Sequence, residues 1–363
     1  MTATPLKQLA AEGVSLWLEG AGRREPFAGE LEHFLATYGI TGVGCVLDGL
    51  GAQLDRGELR SRLGELSAYC AGPAEAARAL SGREARAVCD ALLPVWRRSR
   101  GAEGQVCAPI GHTLDAAAAL AEARSLHWTV DRPNLLVRLP ADPVGLATMG
   151  DCLAEGIGVA AGPVYGEEQY EDVLDTWMFG LERAREAGLE PGRIPVAVHV
   201  PVSEIESAVR VSLAGHTGRT AEGLRRSIGV AVARLVFTAY ERGLDSTRWR
   251  ELVRAGAQPH RLVWSVDGES ADRLAGGLVA EGTVQSLTAE GLRLLSGAVV
   301  PMEGDTLSGR APSAREDLRL LADLGVDWPG RVHELRRAAP RRQYEAWHDL
   351  VDAVSRALKR VDR

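Results

Sequence analysis

A chain of 363 residues with 45% hydrophobic and 25% charged residues has the composition of a water-soluble globular protein. Its net charge of −7 gives no basic footprint for nucleic acid, and it has no run of about 18 apolar residues that would cross a membrane. The five cysteines (Cys45, Cys70, Cys89, Cys107 and Cys152) are odd in number and lack a CxxC, which argues against a disulfide framework and a zinc finger.

The N-terminal residues lack the long apolar core of a secretory leader, so a cytoplasmic location is expected. Lysine occurs only at Lys7 and Lys359, and arginine supplies the other basic charge, the bias of a GC-rich genome such as an actinobacterial one.

Along the chain, short apolar runs alternate with longer helical stretches, the pattern of a parallel sheet with helical crossovers. The predicted strands begin at residues 14–18 and 42–47. An arginine- and alanine-rich helical region follows over about residues 56–100. The third strand is predicted at 105–110, followed by an alanine helix that Asp115 caps. The fourth is Asn134-Leu135-Leu136-Val137-Arg138-Leu139-Pro140-Ala141, an apolar run carrying one charge, Arg138. Further strands are predicted at 156–161, 194–200 and 261–266, and the eighth over 277–279 continuing to 283–285. Eight such runs in one undivided chain predict a single α/β domain, a (β/α)8 TIM barrel over 1–363, with C-terminal helices from about residue 314. A doubly wound open sheet is the runner-up.

A charge inside a buried strand is costly unless it faces a polar cavity or a partner. In a barrel that place is the C-terminal mouth, where active sites are built. The polar residues predicted at strand ends are Glu19, Asp48, His112, Arg138, Tyr165, His199, Asp267, Glu269 and Gln285, with Cys45 and Cys107 nearby. His112 and His199 have no HxH or HxxxH spacing, so no metal and no cofactor is expected. Gly42-Val43-Gly44 and Gly156-Ile157-Gly158 form no complete GxGxxG and read as close packing. The arginine groups 97–100, 336–337 and 341–342 read as solvated helix ends. Trp347 with Tyr344 reads as the docking face of the C-terminal helix, with a lid role open to it.

Landmarks in order along the chain resemble the bacterial transaldolase family. Pro5-Leu6-Lys7-Gln8-Leu9 followed by Trp17-Leu18 is similar to the family's N-terminal strand. Asp131-Arg132-Pro133-Asn134-Leu135-Leu136-Val137 is similar to its fourth strand, Leu278-Val279-Ala280-Glu281-Gly282-Thr283-Val284 to its eighth, and Gly304-Asp305-Thr306-Leu307-Ser308-Gly309 to the loop beyond.

The resemblance implies the barrel fold and an enzyme that cleaves a ketose phosphate through a lysine imine on the fourth strand. Here that position is Arg138, and a guanidinium stays protonated and is not a nucleophile toward ketones. The family's first-strand aspartate is matched by Glu19, its second-strand asparagine–proline pair by Val46-Leu47, and its third-strand glutamate by Pro109. Its fifth-strand asparagine and threonine match Ala160 and Gly162, and its sixth-strand serine matches Val198. Its phosphate-binding arginine falls at Glu204, and the basic residue after strand seven near Ser270.

These departures favour a scaffold or regulatory pseudoenzyme without transaldolase activity, in which Arg138 pairs with Glu19 or another carboxylate across the mouth. The alternative is a repurposed enzyme, of lyase, isomerase or transferase type, on a carboxylate or unphosphorylated sugar-like substrate. In it Glu19 and His199 act as acid/base, Arg138 clamps an anion, and Asp48, His112, Tyr165, Asp267, Glu269 and Gln285 contact substrate; specialised metabolism would suit it. A metal-assisted enzyme and a genuine transaldolase are minor alternatives. Expected partners are a small molecule or a protein, with neither nucleic acid nor membrane, and the chain is expected to be a monomer or homodimer.

Overall fold

In a computed structural model the chain is described over residues 4–21, 27–45, 47–57, 59–67, 72–111, 115–267 and 270–361. Eight parallel strands close in sequence order into a barrel: β1 (Ser15–Ala21), β2 (Gly42–Cys45), β3 (Gln105–Pro109), β4 (Leu135–Leu139), β5 (Val159–Ala161), β6 (Val196–Val200), β7 (Arg261–Val266) and β8 (Val284–Leu287). The helices are α1 (Pro5–Ala11), α2 (Phe27–Tyr38), α3 (Leu47–Asp55), α4 (Arg60–Ser67), α5 (Pro73–Arg98), α6 (Ala116–Val130), α7 (Pro143–Ala154), α8 (Glu167–Glu186), α9 (Val202–Ser212), α10 (Arg219–Leu244), α11 (Thr247–Arg254), α12 (Ala271–Gly277), α13 (Ala289–Gly297), α14 (Ala311–Asp323) and α15 (Trp328–Val361). No helix among the described residues is long and apolar enough to cross a membrane.

Local chemistry sets several boundaries. The Asp115 and Asp142 side chains accept from the backbone N–H groups of Ala117 and Gly145, which starts α6 and α7 with filled caps, the second followed by Pro143 at its first position. Residues 5–11, expected as part of an N-terminal strand, form α1 instead: Pro5 opens a helical turn and Leu6 and Leu9, three apart, are its buried stripe. The eighth strand begins only at Val284; the apolar run at 277–279 closes α12 and the turn after it. The helical region 56–100 holds α4 and α5, with α3 ending just before it.

Two shells make the core. Outward-facing strand residues pack under the helices, whereas Trp17, Cys107, Leu136, Ala160, Ala197, Val263 and Val284 fill the barrel interior. Alternate residues of a strand share a face. The interior ring above that filled layer is therefore Glu19, Gly44, Pro109, Arg138, Gly162, His199, Ser265 and Ser286. β2 contributes glycines to both layers because a Cβ at Gly42 would overlap the Trp17 indole, and one at Gly44 would overlap the Glu19 carboxylate and stand 2.7 Å from Arg138 Nη2. The N-terminal end is closed by Arg261, which ion-pairs with Glu103 and donates to Ser15 Oγ at 2.9 Å.

A satellite core joins α3, α4 and the start of α5 to the far half of α15 through Leu47, Leu50, Leu63, Leu80, Leu350 and Val354. Trp347 of α15 is buried, with its indole 3.2 Å from where a Cβ at Gly111, just beyond β3, would lie. Tyr344 does not dock with it: its ring is exposed and stacks on His348 at 3.9 Å.

Candidate active site at the barrel mouth

Across the mouth, Arg138 Nη1 donates to Glu19 Oε1 at 2.9 Å and Nη2 to Oε2 at 3.2 Å, a two-pronged ion pair between β4 and β1. The pair is largely sheltered, with side-chain exposures of 24% and 17%. Ser286 Oγ donates to Glu19 Oε2 at 3.0 Å. Arg138 Nε is enclosed without a hydrogen-bond partner among the described residues. Burial would push the Glu19 carboxyl up, but the Arg138 charge, with smaller contributions from His199 and Ser286, outweighs it and holds the carboxyl below its ordinary value.

His199, inward from β6, approaches Cys107 with Nε2 3.8 Å from Sγ, and its ring lies 6.1 Å from the Trp17 indole. Burial and the Arg138 charge lower the imidazole to about 3, against a partial opposing pull from Glu19, so the ring is neutral at physiological pH. Burial pushes the Cys107 thiol up and the Cys45 thiol up to about 12, which leaves neither as a thiolate nucleophile. Among the described residues no three His, Cys, Asp or Glu side chains gather as a metal site.

His260, behind the barrel wall, is likewise lowered to about 3 by burial, with Nε2 2.9 Å from Tyr170 Oη. A histidine kept neutral by the fold takes up a proton when the chain unfolds, so its stabilisation is complete above about pH 6.5 and falls as pH drops. Between pH 6.5 and 5 each of the two should withdraw about 2 kcal/mol. Urea unfolding at pH 7 and pH 5 checks this, and equal stability at the two values would contradict it.

The remaining candidates separate. Gln285 faces away from the mouth: its Nε2 donates to the carbonyls of Ala275 (2.8 Å) and Leu278 (3.2 Å) behind β8, so its assignment to a substrate role is corrected. The inward residue of that strand is Ser286, which the sequence reading passed over. Val198 likewise belongs to the outer shell, and the inward residue of β6 is His199. Asp267 lies exposed just past β7, with its backbone N–H bound to Ser203 Oγ at 2.8 Å. Asp48 is in the first turn of α3, and His112 and Glu269 fall outside the described residues.

Tyr165, between β5 and α8, is buried and donates from Oη to Glu204 Oε2 at 3.1 Å. Arg342 of α15 completes a triangle, with Nη2 2.7 Å from Glu204 Oε1 and 3.0 Å from Tyr165 Oη. Residues 341–342, expected as a solvated helix end, lie in the middle of α15, and Arg342, though half exposed, is ion-paired. No local pattern marks this partnership, since Arg342 is 177 residues from Tyr165 in the chain. Between Arg342 at the β5–β6 side and Trp347 at the β3 side, α15 crosses the mouth.

Comparison with known proteins bears directly on this site. The model of the Transaldolase/Fructose-6-phosphate aldolase family matches residues 52–251. A transaldolase of Acidothermus cellulolyticus is 32% identical over 99% of this chain and 98% of its own. Transaldolase 1 of Streptomyces coelicolor is 33% identical over 98% of this chain and 96% of its own, and Transaldolase 2 of the same organism 29% identical over 98% of each. These relatives overturn the expectation of an inactive scaffold or regulatory pseudoenzyme, because proteins named as transaldolases match the chain from end to end. Nor do they support a place in specialised metabolism. A match of this length and identity, on a barrel of the topology the resemblance implies, makes the chain a member of the transaldolase family.

Proposed function

We propose that the chain is an active enzyme of the transaldolase type, which breaks and re-forms the bond between the first and second carbons beyond a ketose carbonyl, and that it works through an enediolate held by Arg138 rather than a lysine imine. The observation that carries this reading is the β4 cation facing the β1 carboxylate in the innermost polar ring of the mouth, on a chain whose relatives are named transaldolases over their whole length. An imine on this barrel has no donor: Lys7 is exposed on α1, ahead of the N-terminal end of β1, and Lys359 is exposed near the end of α15.

The ketose carbonyl oxygen would accept from an Arg138 Nη N–H that Glu19 does not engage. Glu19 takes the proton of the hydroxyl two carbons from the carbonyl. The bond between that carbinol carbon and the carbon next to the carbonyl then breaks, its electron pair moving into an enediolate whose oxygen charge rests against the guanidinium. An aldehyde leaves. A second aldehyde is attacked by the enediolate carbon, and its oxygen recovers the proton from Glu19. A carboxyl held low is a weak base, so the first proton transfer is the slow one, and neutral His199 serves to orient the aldehyde oxygen.

Incubating the protein with a ketose and a different aldose, and following new ketose by NMR, tests the reading. The expected result is exchange that survives pretreatment with substrate and borohydride. No exchange with free or phosphorylated ketoses, or inactivation with a reduced adduct on a lysine, would overturn it.

A further inference from the structure

We propose that the Glu204–Arg342–Tyr165 triangle is a specificity device that makes the chain select a ketose with an uncharged, unphosphorylated far end. The inference takes the mouth to be the ketose site proposed above, but its test reads binding and not turnover.

Among the described residues, each cation that the contacts place at the mouth is already matched by a carboxylate. Arg138 holds Glu19 with both prongs. Arg342 is 2.7 Å from Glu204, and the same Nη2 reaches Tyr165 Oη at 3.0 Å. His199 is neutral. A dianionic phosphate next to Arg342 would therefore also stand next to the Glu204 carboxylate, and like-charge contact of that kind rejects a ligand more sharply than a missing contact does. A polyol end meets no such penalty, and its hydroxyls can accept from the half-exposed Arg342 guanidinium.

The triangle is also placed to act on the substrate. Glu204 is in the first turn of α9, directly after β6, and Tyr165 follows β5. Arg342 arrives from α15, where the helix crosses toward Trp347 over β3. A ligand that reaches from Arg138 toward β5 and β6 runs toward Glu204 and Arg342, with the buried Tyr165 behind them.

The test compares D-fructose with D-fructose 6-phosphate by calorimetry on the full chain and on Glu204→Gln. In the wild type, fructose should bind at least tenfold more tightly than its phosphate ester. In Glu204→Gln the carboxylate is gone and Arg342 is left unmatched, so the ester should gain at least tenfold in affinity while fructose changes little. A second change, Arg342→Ala, should remove that gain. Preferential binding of the ester by the wild type, equal binding of the two, binding of neither, or a Glu204→Gln protein that folds without gaining affinity for the ester would each overturn the proposal. If transfer activity is absent but this selectivity is present, the enzymatic reading alone has failed.

Discussion

Arg138→Ala should abolish ketose exchange and lower stability by about 3 kcal/mol at pH 7.5. The two effects have one cause. With the guanidinium gone, Glu19 keeps a single donor, Ser286 Oγ at 3.0 Å, in a site where 17% of its side chain meets solvent. An unmatched carboxylate there is penalised by desolvation, which is already the largest influence on this group even with Arg138 present. The figure is set at the lower end of the range for a broken buried pair because neither side chain is fully enclosed. The carboxyl of the variant should then titrate upward.

The sign of the pH dependence follows. In the wild type, the folded carboxyl lies below its unfolded value, so its contribution is present above about pH 4.3 and is lost as pH falls through the folded value. In Arg138→Ala the folded carboxyl lies above the unfolded value, so protonation relieves the fold as pH drops. The stability difference between the two proteins should therefore shrink from pH 7.5 to pH 5, as read by urea unfolding. A constant difference, or none at either pH, would mean that the pair contributes no electrostatic stabilisation. Full activity in the variant would remove Arg138 from the reaction.

The fourth strand was legible because its flanks are chemically distinctive. Asn134 is buried ahead of β4, where Nδ2 donates to the carbonyls of Cys89 (3.0 Å) and Gly104 (2.8 Å), and Pro140 follows the strand. Those bounds fix Arg138 as an inward residue. β6 and β8 carry no such markers. A strand of a parallel barrel is buried on both faces, so its run is apolar throughout and gives no period-two signal to tell inside from outside. Gln285 was accordingly placed in the mouth when its neighbour Ser286 belongs there, and Val198 was matched where His199 points in. The β2 glycines were readable as close packing, but not as the space that admits Trp17 below and the Glu19–Arg138 pair above. Arg342 was beyond reach for a different reason. Its partners come from the loops after β5 and β6, and an arginine on the surface of a long helix looks the same in sequence whether it meets water or a carboxylate.

Arg138→Lys should convert a protein that borohydride leaves untouched into one that it labels at residue 138 in the presence of a ketose. Lysine provides what the wild-type mouth lacks, a primary amine that can lose its proton and add to a carbonyl. The ring around it is otherwise intact: Glu19 remains on β1, Ser286 on β8 and neutral His199 on β6. Glu19 sets the pH at which the amine works. A carboxylate next to an ammonium stabilises the charged form, while burial disfavours it. In this pocket burial, the largest single influence, lowers the guanidinium, but the Glu19 charge and hydrogen bonds, with Cys107 and Cys45, raise it overall, and Glu19 would likewise favour a protonated ammonium at neutral pH. Labelling should therefore increase from pH 7 to pH 9.5, and adding Glu19→Gln should shift the rise to lower pH. Intact-mass spectrometry after reduction reads both. An unlabelled Arg138→Lys protein across that range would mean that a ketose carbonyl does not reach position 138, and the enediolate reading would fall with it, because Arg138 could not then polarise that carbonyl in the wild type. Labelling with a pH profile indifferent to residue 19 would keep the substrate in the mouth but remove Glu19 as the group that controls the charge at residue 138.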